Sequence, residues 1–217
     1  MSRKRVAVLI SGRGSNMAAL IEAAKDKSYP AEIALVLSNR PDAGGLELAR
    51  AAGIHTHVID HTVFGKDRAA FERALQEILR ERRIDIVCLA GFMRLLSADF
   101  VSRWQGRLLN IHPALLPAFK GLDTHKRALA ASAKLHGATV HFVVPEMDSG
   151  PIILQGAVPV HAGDTEQTLA ARVLTVEHRI YPQALKLVAE GRVRVENGRC
   201  LVDGVPAPYS AATVSSA

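Results

Sequence analysis

The chain has 217 residues, 48% hydrophobic and 22% charged, with 27 Lys and Arg against 21 Asp and Glu for a net charge of +6. That balance excludes a disordered, collagen-like or fibrous chain, and a chain of this length buries roughly 70% of its unfolded surface without a disulfide or metal. The longest apolar runs fall far short of the ~18–20 residues of a membrane helix, and two cysteines, Cys88 and Cys200, make no disulfide framework, so a reducing, cytoplasmic setting and no membrane partner are expected. The basic start Ser2-Arg3-Lys4-Arg5 before Val6–Ile10 imitates a secretory signal, but the apolar stretch is too short and no cleavage site follows. A moderate positive charge suits anionic small molecules as readily as a polyanion. Aromatic residues, at 5%, are sparse for base stacking, and no nucleic-acid partner is expected.

Short β-rich apolar runs alternate with helical patterns. Val6–Ile10 reads as a buried strand and Asn16–Lys25 as a helix. Ile33–Ser38, Gly45–Ala52 and the short run His57–Ile59 continue as strand, helix, strand. Asp67–Arg82 carries Phe71, Leu75, Ile78 and Leu79 at helical spacing. Ile84–Ala90 is a fourth strand, Ser97–Trp104 a helix with Ser97 as its N-cap, and Leu108–Ile111 a fifth strand. This alternation predicts an open, mostly parallel, Rossmann-like α/β sheet with helices on both faces. The second half differs: a helix at Thr124–Ser132, then strands at Thr139–Val144 and Ile152–Val160 joined by a loop holding Asp148 and Gly150. A long helix spans Thr165–Glu190, with Pro182 expected to kink it or mark a break. Asn197-Gly198 between Arg192–Val195 and Arg199–Val202 signals a type I′ hairpin, and the small polar tail from Ser210 is expected to fray.

The first strand runs into Ser11-Gly12-Arg13-Gly14-Ser15-Asn16. Unpaired N–H groups and the helix dipole at such a strand-to-helix turn form an anion site. No Gly-Lys-Ser/Thr follows, which excludes a Walker A loop. Met17 stands where a dinucleotide fingerprint needs its third glycine, and Ser38-Asn39-Arg40 offers no ribose-binding acid. The alternative is a plain tight turn in which Ser15 or Asn16 caps the helix.

Asn110-Ile111-His112-Pro113 closes the fifth strand. Residues two apart on a strand share a face, so Asn110 and His112 point together at the carboxyl edge, where open α/β sheets bind ligands. An amide donor beside an imidazole suits direct acyl transfer: one holds a developing oxyanion, the other moves a proton. No Gly-x-Ser-x-Gly nucleophile is present, and Cys88, mid-strand, reads as inert core. A loop histidine beside a turn-forming Asn fits the pair alone equally well. Asp148, in the Ser149-Gly150-Pro151 loop, could bring a carboxylate to His112 and favour its protonated form. His55, His57, Asp60 and His61 could chelate a metal, but no matching ligands stand elsewhere at a recognisable spacing, and a surface strand and loop is the reading adopted.

Five motifs run in one order along the chain: Gly12-Arg13-Gly14-Ser15-Asn16, Leu89-Ala90-Gly91-Phe92-Met93-Arg94-Leu95-Leu96, Leu108-Leu109-Asn110-Ile111-His112-Pro113-Ala114-Leu115-Leu116-Pro117, Gly137-Ala138-Thr139-Val140-His141-Phe142 and Asp148-Ser149-Gly150-Pro151-Ile152-Ile153. In these the chain resembles the phosphoribosylglycinamide formyltransferases, folate-dependent enzymes of purine biosynthesis. The resemblance implies that Asn110, His112 and Asp148 are the catalytic trio, and that Gly14, Ser15, Asn16 and Glu177 hold glycinamide ribonucleotide. It assigns Met93, Arg94, Leu95 and Leu96 to a pterin pocket, together with Asn110, with Arg68 near the folate tail and the loop from Val144 to Asp148 closing over the pterin. The implied co-substrate is 10-formyltetrahydrofolate, with no metal, and the implied assembly is a monomer or homodimer. The implied organisation is one formyltransferase domain over residues 1–209, a nucleotide-binding half over 1–111 and a folate-side half over 112–209, then a tail at 210–217. Two positions depart from the family pattern: Asp123 stands where some members carry a histidine near the catalytic Asp, and Ala118 replaces a lysine. Methionyl-tRNA formyltransferase and formyltetrahydrofolate deformylase, the nearest rivals, usually carry an additional domain.

Overall fold

The computed structural model describes residues 2–206, so the expected frayed tail at 210–217 lies outside the described residues. The alternating pattern becomes β1 (Lys4–Ile10), α1 (Ser15–Ala24), β2 (Ala31–Ser38), α2 (Gly45–Ala51), β3 (Thr56–Val58), α3 (Arg68–Glu81), β4 (Ile86–Leu89), α4 (Ala98–Arg103) and β5 (Leu108–His112). Then follow α5 (Thr124–Ala130), β6 (Leu135–Phe142), β7 (Ile152–Pro159), α6 (Glu166–Ala189), β8 (Val193–Glu196), β9 (Arg199–Val202) and β10 (Val205–Pro206). The first seven strands form one sheet in the order β3-β2-β1-β4-β5-β6-β7, the last three a separate antiparallel sheet. Strands β1 to β5 pair in parallel, whereas β6 runs antiparallel to β5 and β7 antiparallel to β6.

Both faces of the sheet are covered, which is why β1 is apolar without alternation. Val6, Val8 and Ile10 face a layer that includes Met17 and Leu20 of α1, Leu46 of α2, and Val176 and Ile180 of α6. Ala7 and Leu9 face the opposite layer, with Phe71, Leu75 and Leu79 of α3 and Phe100 of α4. Burying each large side chain contributes about 1.5–3 kcal/mol, so these two layers hold the sheet edge in place.

Helix starts follow the local chemistry. The Ser97 hydroxyl accepts from Phe100 N–H, Asp67 accepts from Ala70 N–H, and Thr165 forms a reciprocal cap with Thr168. Of the two expectations for Pro182, a break is not found: the helix runs unbroken from Glu166 to Ala189 with Pro182 inside it. Proline removes one helix hydrogen bond, but the neighbouring Tyr181, Ala184 and Leu185 are buried, and the Pro182 carbonyl accepts the Tyr29 hydroxyl at 2.7 Å. Asn197 (φ 49°) and Gly198 (φ 76°) take the two positive φ values of a type I′ turn. Asp203-Gly204 repeats the device (φ 52° and 83°) and adds β10, which the sequence reading passed over.

Strand β6 starts at Leu135 and ends at Phe142, earlier at both ends than its apolar alternation suggests, because its length is set by pairing with β7 from Leu135↔Pro159 to His141↔Ile152. Val144 accordingly lies in the loop after the strand. Between β1 and β4 the strand order reverses, and such a reversal opens a crevice at the carboxyl ends. Ser11, just after β1, donates its N–H to the Gly91 carbonyl at 3.1 Å, so the glycine loop and the loop after β4 flank one crevice.

Candidate active site

Antiparallel pairing places Asn110 of β5 opposite His141 of β6, and His112 opposite Thr139. Asn110, His112 and His141 therefore meet at the carboxyl edge, and the loop after β6 brings Asp148 onto them. His112 is buried; its Nδ1 lies 3.5 Å from Asp148 Oδ2, and its Nε2 donates to the Phe119 carbonyl at 3.0 Å. Asp148 holds a positive φ (50°), and its Oδ2 accepts the Gly121 N–H at 2.8 Å. His141 Nε2 lies 3.9 Å from the other Asp148 oxygen.

Hydrogen bonds assign the protons of this group. His141 Nδ1–H donates to the Phe142 carbonyl at 2.9 Å, and burial, the largest influence, pushes its pKa down. The neutral ring therefore presents Nε2 as an acceptor, and Asn110 Nδ2 donates to it at 3.3 Å. That bond turns the Asn110 amide so that its second N–H is left for a reacting group. Sequence reasoning gave His141 no role. Its signal was alternation with Thr139 on one strand, but only the β5–β6 register shows which residues it meets.

Two loops close around the trio and are latched together. Lys120 Nζ donates to Ser149 Oγ at 2.6 Å and stands 3.8 Å from Glu146, beside the Gly121–Asp148 bond. Gly150 keeps this loop tight: a Cβ there would sit 1.7 Å from the Phe142 carbonyl oxygen that binds His141. Thr139 holds the segment after His112, accepting from Leu116 N–H and donating to the Ala114 carbonyl. Asp123, one of the two departures from the family pattern, is an exposed residue whose side chain makes no cap bond to α5.

Across the crevice, Gly14 is the residue before α1, in the left-handed region (φ 76°), and no side chain caps the helix. The reading of a plain turn capped by Ser15 or Asn16 is thus corrected, and the N–H groups of the first turn stay open to an anion. The Asn16 side chain instead reaches α6, where Nδ2 donates to Glu177 Oε2, while its Oδ1 is buried without a protein partner among the described residues. Burial pushes the Glu177 carboxyl up, against the opposing Asn16 bond. Glycine is required at position 14, since a Cβ would lie 2.8 Å from the Gly45 Cα.

The remaining candidates lie along the loop 91–96, outside any helix or strand. Met93 and Leu95 are exposed large hydrophobic residues, and Leu96 packs against the layer formed with α3 and α4. The Arg94 guanidinium lies over the Phe71 ring, 4.9 Å from its centre. Phe71 is three residues on from exposed Arg68 in α3, so the two cations share one side of that helix. Val144 is half-buried in the loop leading to Asp148. Cys88 is fully buried and burial pushes its thiol up to about 12, in keeping with inert core. His61, from the segment weighed as a chelator, bonds Asn39 through Nδ1. Among the described residues no helix is long and apolar enough to cross a membrane.

Behind His112, His125 and His136 meet edge to face, 5.2 Å between ring centres, and neither nitrogen of buried His136 has a hydrogen-bond partner among the described residues. Burial pushes the His136 pKa down to about 4, with His125 and His112 acting in the same direction, and burial also lowers His125. These folded-state values lie below the ordinary ~6.5, so the unfolded chain binds more protons in between. The resulting stability is present above about pH 6.5 and is lost as pH falls toward 4. The denaturant midpoint should therefore drop from pH 7 to 4.5, and drop less in His136→Phe; a wild-type midpoint flat with pH would contradict this.

The layered sheet, the reversal at β1 and β4, and an Asn-His-Asp group at its carboxyl edge define an open α/β fold with a polar site at the switch point. Residues 4–185 match the formyl transferase family, and the chain belongs to that family. It is 48% identical to the phosphoribosylglycinamide formyltransferase of Escherichia coli over 203 residues, 94% of this chain and 95% of that protein. It is 54% identical over 198 residues to the trifunctional purine biosynthetic protein adenosine-3 of Bos taurus, covering 91% of this chain. The chain spans about a fifth of that longer relative (20%). The crystal structure of glycinamide ribonucleotide transformylase 1 from Symbiobacterium toebii superposes with a TM-score of 0.89 at 46% identity, covering 92% of this chain and 94% of that one. The family expected from the five motifs is thereby borne out.

Proposed function

We propose that this chain transfers the formyl group of 10-formyltetrahydrofolate to the amine of glycinamide ribonucleotide, giving the formylated ribonucleotide and tetrahydrofolate. The observation that carries the reading is the joining of Asn110, His112, His141 and Asp148 at one edge of the crevice whose other edge is the uncapped start of α1. Family membership and the names of the relatives support the same substrates.

In this reading the ribonucleotide phosphate sits on the first-turn N–H groups after Gly14, at Ser15 and Asn16. Glu177 and the unpaired Asn16 Oδ1 accept donors from the remainder of that substrate. The pterin lies along Met93, Arg94, Leu95 and Leu96, with Val144 and the Asp148 loop over it, and Arg68 and Arg94 draw the anionic folate tail. The amine attacks the formyl carbon. The spare Asn110 N–H and the His112 imidazolium stabilise the tetrahedral oxyanion, and Asp148 balances the imidazolium charge. As the carbon–N10 bond breaks, the proton lost by the amine passes to N10 of the leaving folate. His112 Nε2 is bonded to the Phe119 carbonyl, so that bond must yield before Nε2 can donate to a reacting atom. Asn110 also contributes to holding the formyl end of the folate.

A formyl-transfer assay offering glycinamide ribonucleotide, charged initiator tRNA or water as acceptor tests the proposal. Product with the ribonucleotide alone is expected. Formate release without transfer, or transfer to tRNA, would overturn it.

A further inference from the structure

Two buried polar side chains at the root of the crevice have no part in the chemistry above. Ser11 is the first residue after β1 and Asn39 the first after β2, and they are 6% and 2% exposed. A buried hydroxyl and a buried amide are costly unless they are bonded. Ser11 Oγ donates to Asn39 Oδ1 at 2.5 Å and accepts the Met93 N–H at 2.8 Å.

Met93 lies in the loop 91–96, so its N–H has no ladder or helix partner and must find another acceptor. The acceptor is one hydroxyl oxygen. Because the Ser11 proton is directed at Asn39, a lone pair of Oγ is directed at Met93. Asn39 is itself held: its carbonyl accepts the His61 N–H at 3.2 Å and lies 2.8 Å from His61 Nδ1. The glycine loop is anchored by other means. The Gly12 carbonyl accepts the Gly45 N–H at 3.0 Å, and the Ser11 N–H bonds the Gly91 carbonyl through backbone alone.

We infer that Ser11 is a positioning residue for the folate-side loop, with Asn39 orienting its hydroxyl, so that residues 91–96 are held in the conformation that receives the pterin. The inference rests on the function proposed above. The hydroxyl acts on Met93, and the phosphate side is anchored through backbone, so loss of the hydroxyl is felt by one co-substrate and not the other.

Steady-state kinetics of Ser11→Ala, Asn39→Ala and Asn39→Asp test this. Ser11→Ala is expected to raise KM for 10-formyltetrahydrofolate about tenfold, a typical loss for one hydrogen bond, with kcat and the ribonucleotide KM within about threefold of wild type. Asn39→Ala should give a smaller rise in the same KM, and Asn39→Asp, which keeps an acceptor oxygen, should return it toward wild type. An unchanged folate KM, an equal rise in both KM values, or a fall in kcat alone would overturn the inference. Amide hydrogen exchange provides a readout that needs no turnover. In Ser11→Ala the Met93 amide should exchange at least tenfold faster while the amides of β1 and β4 keep their protection. Unchanged exchange at Met93, or protection lost across both strands, would also overturn it. A wild-type protein inactive toward both substrates would sink the functional reading, and the exchange experiment would still decide the role of Ser11.

Discussion

Replacing Asp148 by asparagine is expected to lower kcat by about 10²–10⁴, the usual range for a lost acid–base contribution. The substitution keeps the shape of the side chain, and asparagine tolerates the positive φ that Asp148 adopts. It also keeps an oxygen for the Gly121 N–H, so the latch between the two loops survives. What disappears is the negative charge 3.5 Å from His112 Nδ1 and 3.9 Å from His141 Nε2. The His112 imidazolium that stabilises the oxyanion then has no counter-charge in a buried site, where electrostatic interactions are stronger than in water. The phosphate contacts lie across the crevice at the start of α1, so ribonucleotide affinity should change by less than about threefold. Turnover measured beside calorimetric titration with the ribonucleotide checks both halves. Full activity in Asp148→Asn would mean that Asp148 only shapes its loop.

Replacing Asn110 by alanine should cost about 10²–10³ in kcat, the loss found when one preorganised oxyanion donor is removed. The Asn110 amide is already aligned before any substrate arrives, because one N–H is committed to His141 Nε2 and His141 is committed in turn to the Phe142 carbonyl. A donor that needs no reorganisation acts on the transition state more than on the bound ground state. KM for the ribonucleotide should therefore move little while kcat falls, and the folate KM should rise by much less than kcat falls. A rise in KM with kcat preserved would reassign Asn110 to binding alone.

Much of the architecture was legible in the residues. Continuous apolar runs and helical spacing located β1 to β5 and α1 to α4, because a sheet covered on both faces must be apolar on both faces. The Asn197-Gly198 turn was legible because few dipeptides tolerate two positive φ values. The break that Pro182 allowed did not occur, for a physical reason. A missing N–H is a local cost, and packing of α6 on the sheet, mainly on β6 and β7, together with the Tyr181 hydroxyl bonded to the Leu89 carbonyl at 2.9 Å, outweighs it. The ends of β6 were misjudged because they depend on a partner strand, not on the alternation within β6 itself.

For the site, Asn110 and His112 could be paired from the sequence alone, since strand geometry puts residues two apart on one face. The glycine loop and Asp148 were candidates from their places in the chain, and the family motifs then gave them roles. His141 was in view within a motif but had no assignable role, and the acceptance of the Gly121 N–H by Asp148 had no sequence signal at all. The same holds for Asn16, whose residue type suggested a cap and whose side chain instead spans to Glu177 on α6.

By itself the sequence determined the βα alternation, the glycine turn into the first helix, the shared face of Asn110 and His112, and the family. Those features depend on backbone periodicity, on φ preferences and on residues close together in the chain. Only the tertiary structure decided that His141 orients the Asn110 amide, that Asp148 meets two histidines, and that Ser11 holds Met93. Most of those contacts join strands or loops far apart in sequence, and antiparallel register and loop closure are set by the packing of the whole sheet and not by any local pattern.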